Sequence, residues 1–191
     1  ESDKNDSLNK IKSKISKARD KKDKYLLDNP KWIINDSIEK LYPSCEVYNG
    51  QIKNGKREGH GEYKFKDGSI YIGEWKNDTI EGKGEYRWSS GHIYQGEWKQ
   101  GKRDGIGEYQ GPKGAVYIGS WKDDKRNGDG EQIFSDRTRY IGEWKDNLPH
   151  GKGTQIWPEG EIYEGDFQHG RKEGNGEYVW TDNTRYIGQW E

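Results

Sequence analysis

One short phrase returns along this chain at a fixed interval, and the interval limits the available folds more than any other feature. Tyrosine, glycine and an aromatic residue alternate at Tyr71-Gly73-Trp75, Tyr94-Gly96-Trp98, Tyr117-Gly119-Trp121, Tyr140-Gly142-Trp144, Tyr163-Gly165-Phe167 and Tyr186-Gly188-Trp190, after a degenerate copy at Tyr48-Gly50-Ile52. Each of these tyrosines follows the one before it by 23 residues. A Gly-x-Gly pair keeps the same phase, from Gly59/Gly61 and Gly82/Gly84 through to Gly174/Gly176. Self-similarity at one period marks an array of small units that stack on their neighbours. Six repeats and a half fill residues 48–191 without insertion or deletion.

Phase gives local structure. Tyr71, Gly73 and Trp75 fall on one face of an extended segment, with Ile72, Glu74 and Lys76 on the other. That is strand periodicity, and Gly84, Tyr86 and Trp88 alternate with Glu85 and Arg87 in a second strand. Between the two strands, one phase holds Gly55, Asp78, Gly101, Asp124, Asn147 and Gly170, all residue types that tolerate positive φ. The opposite connection carries Gly68, Gly91, Gly114, Gly160 and Asn183, with Arg137 as the exception. The expected fold is mainly β, an elongated single-layer antiparallel meander of hairpins with strands of about six residues. Glycines share the ring-bearing face, which predicts rings lying over bare backbone. Glu74, Glu97 and Glu143 interleave with lysines on the other face, which reads as solvated.

Composition agrees with a thin fold. Only 28% of residues are hydrophobic, while the chain carries 27 glycines, 13 tyrosines and 9 tryptophans, too little aliphatic mass for a thick two-layer core. A net charge of -1 lacks the footprint of a nucleic-acid binder. No apolar run reaches the roughly 20 residues of a membrane-spanning helix. Cys45 is the single cysteine, so no internal disulfide forms, and no secretory signal opens the chain. The expected setting is intracellular, and the Asn-x-Ser/Thr triplets at Asn5, Asn35 and Asn77 read as chance. A start without methionine and an end inside a repeat suggest a piece of a longer protein.

Residues 1–47 differ in kind. Leu8, Ile11, Ile15 and Ala18 follow helical spacing behind Asp6 or Ser7 as a cap, and Lys10, Lys14, Lys17 and Lys21 make that helix basic. Asn29-Pro30 reads as the start of a second helix, with Ile34, Ile38 and Leu41 on one face, that stops at Pro43. This segment is expected either to cap the first hairpin or to hold a partner. The basic stretch is a candidate contact for lipid or partner, although Asp20 and Asp23 dilute it.

Tyr-Ile-Gly-Glu-Trp-Lys at 71–76 and 140–145, followed by Gly-Lys-Gly or Gly-x-Gly-Glu-Tyr, resembles the MORN repeat (membrane occupation and recognition nexus). The resemblance covers residues 48–191 and departs locally at Ile52, Phe167 and Gly111, where an aromatic is replaced or exchanged. It implies a twisted sheet curved into an aromatic-lined groove, and scaffolding of the kind seen in junctophilins, ciliary radial-spoke proteins and cytoskeletal assemblies. It also implies an alternative, a regulatory module ahead of a lipid kinase or SET-type catalytic domain. The lipid binding associated with the family transfers weakly. Once residues 1–47, with 11 basic and 9 acidic side chains, are set aside, 22 basic and 25 acidic remain.

Catalysis finds no support in the residues. His60, His92, His150 and His169 are scattered without metal-ligand spacing, and no nucleophile elbow or phosphate-loop lysine occurs. Gly-x-Gly recurs without a following helix, so it is structural rather than nucleotide-binding. Asp123 to Glu131 puts Lys125 where a calcium loop needs oxygen. No cofactor, metal or catalytic residue is expected. The reading is instead a non-catalytic scaffold whose Tyr71, Trp75, Tyr94, Trp98, Tyr117, Trp121, Tyr140 and Trp144 grip a helix or extended peptide of a protein partner. A cytoplasmic, cytoskeletal or ciliary home fits it. Weak membrane tethering and a homodimer stay open beside it.

Overall fold

A computed structural model describes residues 46–191; the helices expected within 1–45, with Lys10, Lys14, Lys17 and Lys21, lie outside the described residues. Thirteen strands follow one another: β1 Val47–Lys53, β2 Lys56–Lys64, β3 Ile70–Lys76, β4 Thr79–Arg87, β5 Ile93–Lys99, β6 Lys102–Gln110 and β7 Val116–Lys122, then β8 Lys125–Ile133, β9 Arg139–Lys145, β10 Leu148–Ile156, β11 Ile162–Gln168, β12 Arg171–Val179 and β13 Arg185–Trp190. All lie in one open antiparallel sheet, each strand hydrogen-bonded to its neighbours in sequence.

Both classes of turn sit where the phase predicts. Asn77 and Asp78 adopt φ 48 and 67, and Asp146 and Asn147 adopt 49 and 73, so both central residues are left-handed. Such a two-residue turn has the twist of the strands it joins. Arg137, the exception at the opposite connection, is nevertheless at φ 71. The hydrogen bonds on either side, Phe134 N–H to Thr138 carbonyl at 2.8 Å and Arg137 N–H to Phe134 carbonyl at 2.9 Å, hold it there.

The strands are longer than expected and unequal. Within each full hairpin the first has seven residues and the second nine. The two extra residues form a bulge: Trp75 pairs with Ile80 and Gly73 with Gly84, so Glu74 alone stands opposite Glu81, Gly82 and Lys83. Gly82 makes the bend at φ 71, and its counterparts Gly59, Gly105, Gly128, Gly151 and Gly174 are all at positive φ. Bulges of this kind increase the local twist. The two glycines of Gly-x-Gly therefore serve different ends. The first supplies a left-handed bend; only the second lies under a ring.

The bulge also corrects the reading of Glu74 as a solvated cross-strand charge. Its carboxylate accepts the Lys83 backbone N–H at 3.1 Å, and Glu143 does the same for Lys152 at 3.0 Å. Gln51 and Asp166 repeat the contact at His60 and Asn175. A glutamate in this phase satisfies a backbone donor freed by the bulge. Elsewhere the charged face does pair opposite signs, as in Arg139–Glu131 at 2.7 Å and Lys122–Asp104 at 2.9 Å. Exposed pairs of this sort contribute about 0–1 kcal/mol each.

Candidate functional site: an aromatic face in two rows

The core of this sheet is a single ladder of rings on one face. Tyr71 is fully buried, with its ring centroid 5.3 Å from Trp75 and 5.7 Å from Trp98, both edge-on. Tyr94 sits likewise between Trp98 and Trp121, Tyr117 between Trp121 and Trp144, and Tyr140 between Trp144 and Phe167. Edge-to-face pairs of this kind add about 0.5–1.5 kcal/mol beyond the area they bury.

Glycine makes room for the tyrosine. A Cβ on Gly107 would lie 2.3 Å from the Tyr94 hydroxyl and 2.5 Å from its ring carbons, and Gly84 stands in the same relation to Tyr71. The hydroxyl then reaches the bulge: Tyr71 donates to the Glu74 carbonyl at 3.1 Å, Tyr94 to Glu97 at 3.0 Å and Tyr117 to Ser120 at 2.9 Å. Each tryptophan of the ladder donates its indole N–H to a glycine carbonyl on the preceding strand, Trp98 to Gly84 at 3.2 Å and Trp121 to Gly107 at 3.3 Å. Burial pushes the hydroxyls of Tyr94, Tyr117 and Tyr140 well above their usual ionisation range.

All eight residues singled out from the sequence belong to this inner ladder, and none is more than 6% exposed. The fold brings them together in one continuous row, but solvent meets little of it. What solvent meets is a second, outer row on the same face. Tyr63, Phe65, Tyr86, Trp88, Tyr109, Phe134, Trp157 and Tyr178 are half-buried against the ladder, and Trp180 is 40% exposed. Ring contacts link this row too: Tyr86–Trp88 at 4.6 Å, Phe65–Tyr86 at 5.3 Å and Trp157–Tyr178 at 5.5 Å. The outer row is interrupted where Gln132 and Gln155 stand in the phase of Tyr63, Tyr86, Tyr109 and Tyr178.

Cations form a third component, one that the sequence reading passed over. A single phase holds Arg57, Ile80, Arg103, Arg126, Pro149 and Lys172. The Arg57 guanidinium lies 4.3 Å over Trp75, Arg103 4.3 Å over Trp121 and Arg126 4.5 Å over Trp144. The Lys172 ammonium is enclosed by Trp157, Tyr163, Tyr178 and Trp190 at 4.5, 5.0, 4.5 and 4.9 Å. Cation–π contacts are worth about 0.5–2 kcal/mol each, rising with desolvation. Their signal was the shared phase, which carries meaning only once the bulge has shifted the pairing and set Arg103, Arg126 and Lys172 opposite Trp98, Trp121 and Phe167.

The counter-charges differ along the array. Asp78 meets the Arg57 guanidinium at 3.3 Å and Asp124 meets that of Arg103 at 3.0 Å. The Arg57 backbone N–H and side chain hold the Asp78 carboxyl below its ordinary value. At Arg126 the same position is Asn147, whose amide oxygen accepts the Arg126 backbone N–H at 2.9 Å and brings no charge. Burial lowers the ionisation of both Arg126 and Lys172. No group of three or more potential metal ligands occurs among the described residues, and no helix there is long and apolar enough to cross a membrane.

A one-layer sheet of bulged hairpins, held by a Tyr–Trp ladder over glycine, defines a β-repeat array. The MORN repeat model matches six consecutive units, residues 48–70, 71–93, 94–116, 117–139, 140–162 and 163–185, and the chain belongs to the MORN-repeat family. No curated protein matches the chain. Solved structures that resemble it include the TCP domain of Drosophila melanogaster SAS-4 in complex with a proline rich motif of Ana2, at 14% identity and a TM-score of 0.47, covering 78% of this chain and 81% of that one. The TCP10 domain of Danio rerio CPAP matches at 14% identity and 0.46, covering 78% and 71%. The same zebrafish domain in complex with a STIL peptide matches at 14% identity and 0.38, covering 76% and 84%.

Proposed function

We propose that the array is a non-catalytic interaction scaffold that holds a helix or extended segment of a protein partner against its aromatic face. The observation that carries this reading is the outer row: half-buried Tyr, Trp and Phe side chains that run along the array, broken at Gln132 and Gln155, on a sheet face that no second layer covers among the described residues. Contiguous apolar surface rich in these residues is typical of binding sites. The inner eight residues, Tyr71 to Trp144, would then act as the rigid platform rather than as the contact itself. Membership of the repeat family supports a scaffold, and a cytoskeletal or ciliary assembly is the setting that this reading favours.

The test is partner capture from a native extract, read by crosslinking mass spectrometry on the wild-type chain and on a Trp88→Ser, Trp157→Ser double variant. Retention of the near-ultraviolet dichroism of the inner ladder shows that the variant folds. Loss of the captured proteins is the expected outcome. A folded double variant that retains every partner would sink the reading.

A further inference from the structure

The aromatic face is chemically uneven along its length. Every charged strand residue in the phase that reaches it is a cation, since Ile80 and Pro149 occupy the remaining places. In the first half the cations are matched, Arg57 by Asp78 and Arg103 by Asp124. In the second half they are not. Arg126 is held by neutral groups: one terminal nitrogen donates to the Gln132 side-chain oxygen at 2.8 Å and the other to the Asn147 carbonyl at 2.9 Å. Gln132 is itself buried and tied by its amide to the Val116 and Ile133 carbonyls at 3.0 and 2.7 Å. The guanidinium is therefore rigidly aimed, with donors left over from its fork of five.

Lys172 is the more exposed case in electrostatic terms. Its ammonium has four rings around it but no ion pair or hydrogen-bond acceptor among the described residues. The carboxylate whose field acts on it, Glu161, makes no ion pair with it among the described residues. A partly desolvated charge without an acceptor is the group that gains most from an incoming anion. Between the two cations lie Pro149, which is apolar, and Gln155, whose side-chain amide makes no hydrogen bond among the described residues. The half that lacks counter-anions is also the half where glutamine replaces the outer tyrosines.

Resting on the scaffold reading above, we infer that the C-terminal half of the aromatic face selects an acidic extended segment of a partner protein, with one carboxylate seated at Arg126 and a second at Lys172. These residues stand on β8 and β12, four strand steps apart, or about 19 Å at the usual spacing. An extended chain covers that distance in about six residues, an even number, so both carboxylates point to the same side. The intervening same-side positions would be apolar, over Pro149 and Trp157, and the Gln155 amide would meet the backbone of the guest.

The test uses the full chain and fluorescence anisotropy with labelled peptides of leucine and serine that carry two glutamates at this spacing. A second peptide replaces both glutamates by glutamine, and a third moves one glutamate by a single residue to the opposite side. The diacidic peptide is expected to bind about tenfold or more tightly than either control, with an affinity that falls as salt rises. Arg126→Gln and Lys172→Gln are each expected to remove most of that preference, and Arg57→Gln to leave it intact. Equal binding of acidic and amide peptides would overturn the inference and leave the scaffold reading standing. Absence of binding by every peptide would count against both. Flotation with phosphatidylserine vesicles that depends on Arg126 and Lys172, without any peptide preference, would replace the acidic partner by a lipid surface.

Discussion

The inner and outer rows of rings share one face and one period, yet they tolerate change very differently. From the second hairpin to the sixth the inner row keeps its tyrosine without exception, and Phe167 is its only departure from tryptophan there. The outer row varies among Tyr, Gln, Trp, Phe and Gly over the same hairpins. The difference follows from what each ring touches. An inner tyrosine must fit between two glycines, stack edge-on against two rings and deliver its hydroxyl to the carbonyl at the bulge, so three requirements coincide at one side chain. An outer ring packs against the ladder on one side only. Uniformity marks the part that holds the sheet together, and variation marks the part that fewer contacts constrain.

Three substitutions probe that contrast, beginning with the largest effect. Gly107→Ala places a methyl within 2.5 Å of the Tyr94 ring and close to Gly96, where neither backbone nor ring can retreat. Chemical denaturation should show a loss of about 3 kcal/mol or more; a loss below about 1 kcal/mol would mean that the ladder is looser than its geometry. Tyr94→Phe keeps the ring and removes only the hydroxyl that serves the Glu97 carbonyl, so the expected cost is about 1–2 kcal/mol by the same measurement. An unchanged stability would show that the bulge carbonyl is satisfied by water. Trp88→Ser alone, in the outer row, should shift stability by no more than about 1 kcal/mol, since it leaves the inner contacts intact. A shift as large as that of the glycine variant would erase the distinction between the rows.

Much of this fold was legible before any coordinates. The period, the number of hairpins, the antiparallel order and both sets of turns follow from residue phase, because local rules for positive φ and strand alternation act over only a few residues. Arg137 shows the limit of that legibility: its side chain gives no hint of a left-handed backbone, which the flanking hydrogen bonds impose. The bulge was hidden for a related reason. Two extra residues in the second strand shift the pairing, and Gly-x-Gly looks like one signal while performing two tasks. The charged column was missed with it, since only the shifted pairing sets Arg126 and Lys172 beside the rings.

The sequence alone settled that this chain is a periodic array of hairpins with glycine and aromatic residues on a common face, because turn chemistry and alternation are local. The tertiary structure decided which rings are buried and which face solvent, and which cations lack a carboxylate. Those properties depend on contacts between residues 14 to 21 positions apart in the chain, such as Trp98 with Gly84 and Arg103 with Asp124, which local periodicity does not encode.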